Sequence, residues 1–208
     1  MALASIATSL SGQAATESSA LQRLNTLLQR FTTLEANVTQ LIIESDGGIL
    51  EESEIRMALK KPNGFYWETL SPFPELLVTN GEKLWNYVPD LEQVVVEDWD
   101  GSRNELAAQL LNGQTDNLAQ EYTIELATEP GSEYQEFELT PIATDSVYQQ
   151  ISINFMNDEL DTIYLASKNG QKTVWRFEDI VINHAIADGM FEFQPPDNIE
   201  IIENSYTQ

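Results

Sequence analysis

Leu21, Leu24, Leu27, Leu28, Phe31 and Leu34 recur at spacings of three and four, which predicts an amphipathic helix over 19–34. Ser19 with Gln22 three residues on predicts a capping box at its start. From Val38 the period changes to two. Leu41 and Ile43 alternate with Gln40, Ile42 and Glu44, Gly47-Gly48 reads as a turn, and Ile55, Met57 and Leu59 then alternate with Glu54, Arg56 and Ala58. Pro62-Asn63-Gly64 makes a second turn, and Phe65, Trp67 and Thr69 share the face that follows.

Further strands are predicted over 75–79, 83–88 and 93–98, with Asn80-Gly81 as a hairpin signal between the first two. Leu106, Leu110 and Leu111 predict a second helix over 103–111, ended by Asn112-Gly113. Strands resume at 122–127, 134–139, 150–155, 162–167 and 173–183. A strand through Phe191 and Phe193 is ended by Pro195-Pro196, and a short one follows at 199–202. Roughly ten to eleven sequential strands joined by short turns make an antiparallel meander, and a meander this long twists and curls. The amphipathic helices need an apolar bed. The expected architecture is mainly β with α: a strongly curved sheet with helices across its concave side and an apolar space between.

Composition narrows the function. With 34 acidic against 10 basic residues the net charge is -24, which argues against a nucleic-acid backbone as partner. It also opposes adhesion to anionic lipid headgroups. There is no cysteine, so disulfides, thiolate metal sites and a cysteine nucleophile are excluded. Residues 1–15 are small, apolar and uncharged and end in small-residue patterns of the kind a signal peptidase cuts after. They are read as a residual signal peptide or disordered leader before a single domain over 16–208. No run approaches the length of a membrane span, so an exported, soluble protein is expected.

Candidate chemistry is sparse. His184 is the only histidine, so neither a nucleophilic triad nor a histidine-rich metal site can be assembled in a familiar form. Glu51, Glu52 and Glu54, or Asp98 and Asp100, lack a catalytic spacing. No metal, cofactor or enzymatic activity is expected. The aromatics are more suggestive: Phe65, Tyr66, Trp67, Trp85, Tyr87, Trp99, Trp175 and Phe177 lie in or beside strands. They line either an ordinary core or a hydrophobic groove.

The helix leading to Phe31 and Val38-Thr39-Gln40 is one of four ordered stretches that resemble the outer-membrane lipoprotein carrier protein family (LolA). The others are 60–67 (KKPNGFYW), 78–87 (VTNGEKLWNY) and 191–196 (FEFQPP). The resemblance implies an incomplete, half-open antiparallel β-barrel with a helical lid over its concave apolar face. It implies a monomeric periplasmic chaperone that takes lipoproteins by their acyl chains from an inner-membrane ATP-driven exporter to an outer-membrane receptor. The implied cavity and lid residues are Leu24, Leu28, Phe31, Ile55, Met57, Leu59, Phe65, Trp67, Trp85, Tyr87, Leu106, Leu110, Trp175 and Phe177, with Lys60 and Lys61 in the lid or transfer loop. The family's usual arginine at the second basic position is here Lys61, which keeps the charge and loses the planar fork of donors. The alternatives are an acyl- or lipid-sensing regulatory domain of the same fold and the anchored receptor, which requires a lipidated cysteine.

Overall fold

The computed structural model describes residues 10–99, 106–111 and 115–204. Helix α1 runs Leu10–Leu28. It is followed by β1 (Thr33–Ile43), β2 (Ile49–Lys60), β3 (Gly64–Ser71), β4 (Glu75–Thr79), β5 (Lys83–Val88) and β6 (Gln93–Asp98). Two short helices, α2 (Leu106–Leu111) and α3 (Thr115–Glu121), interrupt the strands. Then come β7 (Tyr122–Leu126), β8 (Tyr134–Pro141), β9 (Tyr148–Met156), β10 (Glu159–Ser167), β11 (Lys172–Ile182) and β12 (Glu200–Asn204).

All the strands join one 12-stranded sheet in the order β12-β6-β5-β4-β3-β2-β1-β11-β10-β9-β8-β7. It is two antiparallel meanders sewn together where β11 returns to β1, with Val38 opposite Phe177 and Gln40 opposite Trp175. The sheet is open, since β7 and β12 are its two ends. The expected meander is corrected in two places. The β1–β11 pairing brings the first strand to the middle, and β12 lies parallel to β6. The stretch through Phe191 is not a strand: Asp188–Phe191 forms a 3-10 turn. Its buried Phe191 packs with Ala58 and Ile186 on the convex face.

The first helix also differs from expectation. It ends at Leu28, not at residue 34, and it passes through Ser19, so no capping box starts there. Leu34 fits both periods. The β-branched Thr32-Thr33 pair favours the extended chain, and Leu34, Ala36 and Val38 then alternate inward as β1. Asn183 secures the exit, accepting from the Thr32 N–H at 2.8 Å and donating to the Arg30 carbonyl at 2.9 Å. The helix begins inside the segment read as leader, of which residues 1–9 lie outside the described residues. The predicted second helix is described from Leu106, and its predicted end at Asn112-Gly113 lies outside the described residues.

α1 buries Ala20, Leu24, Leu27 and Leu28 against the concave face, and α2 adds Ala107, Leu110 and Leu111. The same core continues through Ile151, Ile153 and Phe155 of β9 and Phe137 and Leu139 of β8. Phe137 meets Phe155 edge to face at 5.9 Å. This half of the concave side is densely packed, with a small space of about 60 Å³ beside Phe155 and Leu160, and a wider one lies toward β1, β3, β4 and β11.

Candidate functional site

The inward residues of five strands build the site. Register pairs Met57 with Trp67 and Leu59 with Phe65 across β2–β3, and Trp67 with Leu77 across β3–β4. The rings of Trp67 and Trp175 meet edge to face at 5.4 Å. Their strands have β2 and β1 between them, so on a flat sheet they would stand about 14 Å apart at about 4.8 Å per strand. Ring contact across that span reflects strong curvature, which brings the two indoles together over the hollow. Between them and α2 lies a cavity of about 170 Å³ lined by Gln40, Phe65, Trp67, Leu77, Ala107, Tyr148 and Trp175. An engineered apolar cavity of about 150 Å³ accommodates benzene. The space beneath α2 is therefore of that order, and a long apolar guest needs the helices to move.

The two adjacent lysines of the 60–64 turn have opposite duties, because strand alternation sends them to opposite faces. Lys60 faces the convex side, where Nζ donates to the Ile186 carbonyl at 2.9 Å and meets Asp188 at 2.5 Å. Lys61 faces the lid. Its Nζ donates to the Leu28 carbonyl at the end of α1 and sits 4.0 Å over the Phe31 ring. A cation at a helix C-terminus meets the negative end of the macrodipole. No carboxylate pairs with Lys61 among the described residues, and burial lowers its pKa from 10.5 to about 8. The backbone adds a second tie, Lys61 N–H to the Thr32 carbonyl at 2.8 Å. The neighbouring turn braces this one. Gly81 has φ +91°, and a Cβ there would stand 2.4 Å from Asn63 Cβ, so only glycine lets the two turns close up.

The other side of α1 is held by Asp158 in the β9–β10 turn. Its carboxylate accepts from Arg23, from Gln135 Nε2 at 2.9 Å, and pairs with Arg30 at 3.1 Å. The Gln135 hydrogen bond, joined by the two arginines, holds its pKa below the ordinary carboxylate value against the opposing effect of burial. Arg23 Nε also donates to Gln135 Oε1 at 2.7 Å, which locks the group. α1 is thus pinned at both flanks, by Lys61 on one and Asp158 on the other.

Of the residues implied as cavity or lid, Leu24, Leu28, Phe31, Ile55, Met57, Leu59, Phe65, Leu110, Trp175 and Phe177 all belong to the core cluster under the lid, with Trp67 packed against it. The side chain of Leu106 lies outside the described residues. Trp85 and Tyr87 are elsewhere. β4–β5 register sets Trp85 opposite Val78, whose face is the reverse of that of Leu77. Both rings therefore stand on the convex side, Tyr87 against Phe193 at 5.1 Å. Alternation correctly put the two on one face; nothing in the hairpin said which. Gln40, Leu77, Ala107 and Tyr148 line the cavity without having been singled out. Gln40 had a signal, since it stands between Val38 and Ile42 on their face of an alternating strand. His184 pairs with Glu35 at 3.2 Å, and its carbonyl accepts from Thr33 Oγ1 at 2.7 Å.

Comparison with known proteins agrees with this geometry. Residues 29–194 match the family described as Outer membrane lipoprotein carrier protein LolA. An outer-membrane lipoprotein carrier protein of Chromohalobacter salexigens is 33% identical over 199 residues, covering 96% of this chain and 93% of the relative. One of Hahella chejuensis is 31% identical over 182 residues, covering 88% and 87%. Among solved structures, an uncharacterized conserved protein of Thermus thermophilus superposes with TM-score 0.59 at 11% identity, over 88% of this chain and 98% of that one, a likeness of fold alone.

Proposed function

The chain belongs to the outer-membrane lipoprotein carrier family LolA, and from that premise we propose that it shelters the acyl chains of lipoproteins between its concave sheet and helical lid. It works as a chaperone of the periplasm, taking cargo from an inner-membrane ATP-driven exporter and passing it to an outer-membrane receptor. Residues 16–208 act as one carrier domain. The observation that carries the reading is an aromatic-lined hollow beneath α2, beside an α1 whose end is tied by Lys61. No relative above is named for sensing, and the sensing alternative draws no support from them.

Magnitudes decide whether a guest can open the lid. Each methylene taken from water contributes about 0.8 kcal/mol, so one acyl chain of ordinary length contributes on the order of 10 kcal/mol. Lifting α2 exposes Leu110 and Leu111, fully buried in the closed state, and Ala107. At about 1.5–3 kcal/mol for each large side chain, that costs several kcal/mol. A single chain therefore exceeds the cost of opening, and a multiply acylated cargo exceeds it severalfold. Because the lid recovers that energy on closing, the closed state also lowers the cost of release to a receptor. Lys61 is the latch, fixing α1 while its charge remains reachable from the rim. The chemistry is transfer of a guest without covalent change, so no catalytic group is needed.

The test uses inner-membrane vesicles carrying the exporter and a triacylated lipoprotein. With ATP, the protein should release that lipoprotein as a soluble one-to-one complex. Lipoprotein that stays in the vesicle pellet, with exporter shown active toward another family member, would overturn the proposal.

A further inference from the structure

Polarity changes along the concave face at nearly one level on neighbouring strands. In β1 the inward residues pass from Leu34, Ala36 and Val38 to Gln40. In β2, reading toward the same rim, they pass from Met57 and Ile55 to Ser53 and Glu51. Register places Val38 opposite Ile55 and Gln40 opposite Ser53. β3 changes from Trp67 to Thr69, and β11 from Phe177 and Trp175 to Thr173. Ile42, the next inward residue of β1, is flanked by Glu51 and Thr173. The hollow is thus oily toward the Lys61 turn and polar toward the β1–β2 hairpin at 44–48.

Gln40 stands at the boundary and lines the cavity. An indole N–H can only donate, so the 2.7 Å contact of Trp175 Nε1 fixes Gln40 Oε1 as its acceptor. The amide NH₂ is then left as a donor, and it has no partner among the described residues. Ser53, its cross-strand neighbour, donates its hydroxyl proton to Glu51 at 2.8 Å. A saturated tail offers such a donor nothing, whereas the carbonyl where a tail joins its head is an acceptor.

We propose that the Gln40 amide donates to an ester carbonyl of the guest, so that acyl tails run toward Lys61 and the polar head leaves at the 44–48 rim. This rests on the acyl-carrier reading above and adds a ligand chemistry, acyl ester over plain hydrocarbon, and a direction of seating. Gln40 acts as a positioning residue.

The test compares two chain-matched probes, monopalmitoyl glycerol and its ether analogue hexadecyl glycerol, which differ by one carbonyl. The full chain should bind the ester about three- to tenfold more tightly, the range of one net hydrogen bond. Gln40→Glu keeps an acceptor for Trp175 and removes the donor. Gln40→Leu with Trp175→Phe removes both halves of the pair. Each should abolish the ester preference, read as the ratio of ester to ether affinity within the same variant. With a ¹³C-labelled ester carbonyl, infrared spectroscopy should show the stretch at lower frequency when bound to the unaltered chain and not when bound to either variant. Equal binding of ester and ether by the unaltered chain would overturn the Gln40 assignment and leave the carrier reading intact. Failure of both probes to bind would overturn both.

Discussion

Replacing Lys61 by methionine should remove a proton-linked gain in stability at alkaline pH. In the closed molecule burial holds the Lys61 pKa at about 8, against an ordinary 10.5 in the unfolded chain. The unfolded state therefore binds more protons between these values, and stability rises with pH across that window. At about 1.36 kcal/mol per pH unit the full gap would correspond to about 3.4 kcal/mol. The ammonium is partly solvated, and screening reduces this to about 1–2 kcal/mol. The window closes near pH 10 for another reason. Burial raises the Tyr66 pKa to about 12 and also raises those of Tyr122 and Tyr134, so stability is lost as their unfolded counterparts ionise near 10. Urea unfolding at pH 7 and at pH 9.5 measures the effect. The unaltered chain should gain about 1 kcal/mol relative to Lys61→Met over that interval. Because the methionine thioether fills similar space without a charge, the difference isolates the proton. Parallel pH profiles for the two chains would refute the burial of Lys61 beneath the lid. An arginine here would stay charged throughout, so Lys61→Arg should also lack the gain.

Phe137→Ala, in the densely packed half of the core, should cost about 3–5 kcal/mol in chemical denaturation and leave dye affinity at the cavity unchanged at temperatures where it is folded. Leu110→Ala should cost about 2–5 kcal/mol. Since part of that loss loosens the lid, it should also tighten binding of an environment-sensitive apolar dye, seen as a lower dissociation constant in a fluorescence titration. Asp158→Asn keeps the size but surrenders the pairs with Arg23 and Arg30. Hydrogen exchange over residues 19–28 should quicken, and in the unaltered chain the same quickening should appear as pH falls through the lowered Asp158 pKa.

Periodicity made most of the fold legible. Inward alternation in β2, with Ile55, Met57 and Leu59, survives in the structure as a buried wall. The misplaced helix end shows where such reading fails. Leu34 satisfies the helical spacing and the strand alternation equally, and tertiary pairing with Leu59 and Ile182 decides between them. The non-local β1–β11 pairing left no local trace, because strand order depends on which apolar faces must share one hollow. For the site, Trp67 and Trp175 were legible as aromatic strand residues, but only sheet curvature reveals that they touch. Trp85 and Tyr87 looked equivalent to them, and register opposite Val78 and Leu76 puts them on the convex face, where Tyr87 meets Phe193. The Lys60-Lys61 doublet was conspicuous in so acidic a chain, and alternation across the strand end separates its members into an outer clamp and an inner latch.

Four tryptophans and a guest that quenches them allow a direct test of where acyl chains lie. One chain keeps only Trp175 and another only Trp85, the remaining indoles being replaced by phenylalanine. A brominated acyl ester is then titrated into each. If guests occupy the hollow beneath the lid, Trp175 fluorescence should fall saturably while Trp85, across the sheet, stays bright. Quenching of Trp85 with Trp175 unaffected would contradict an interior acyl site.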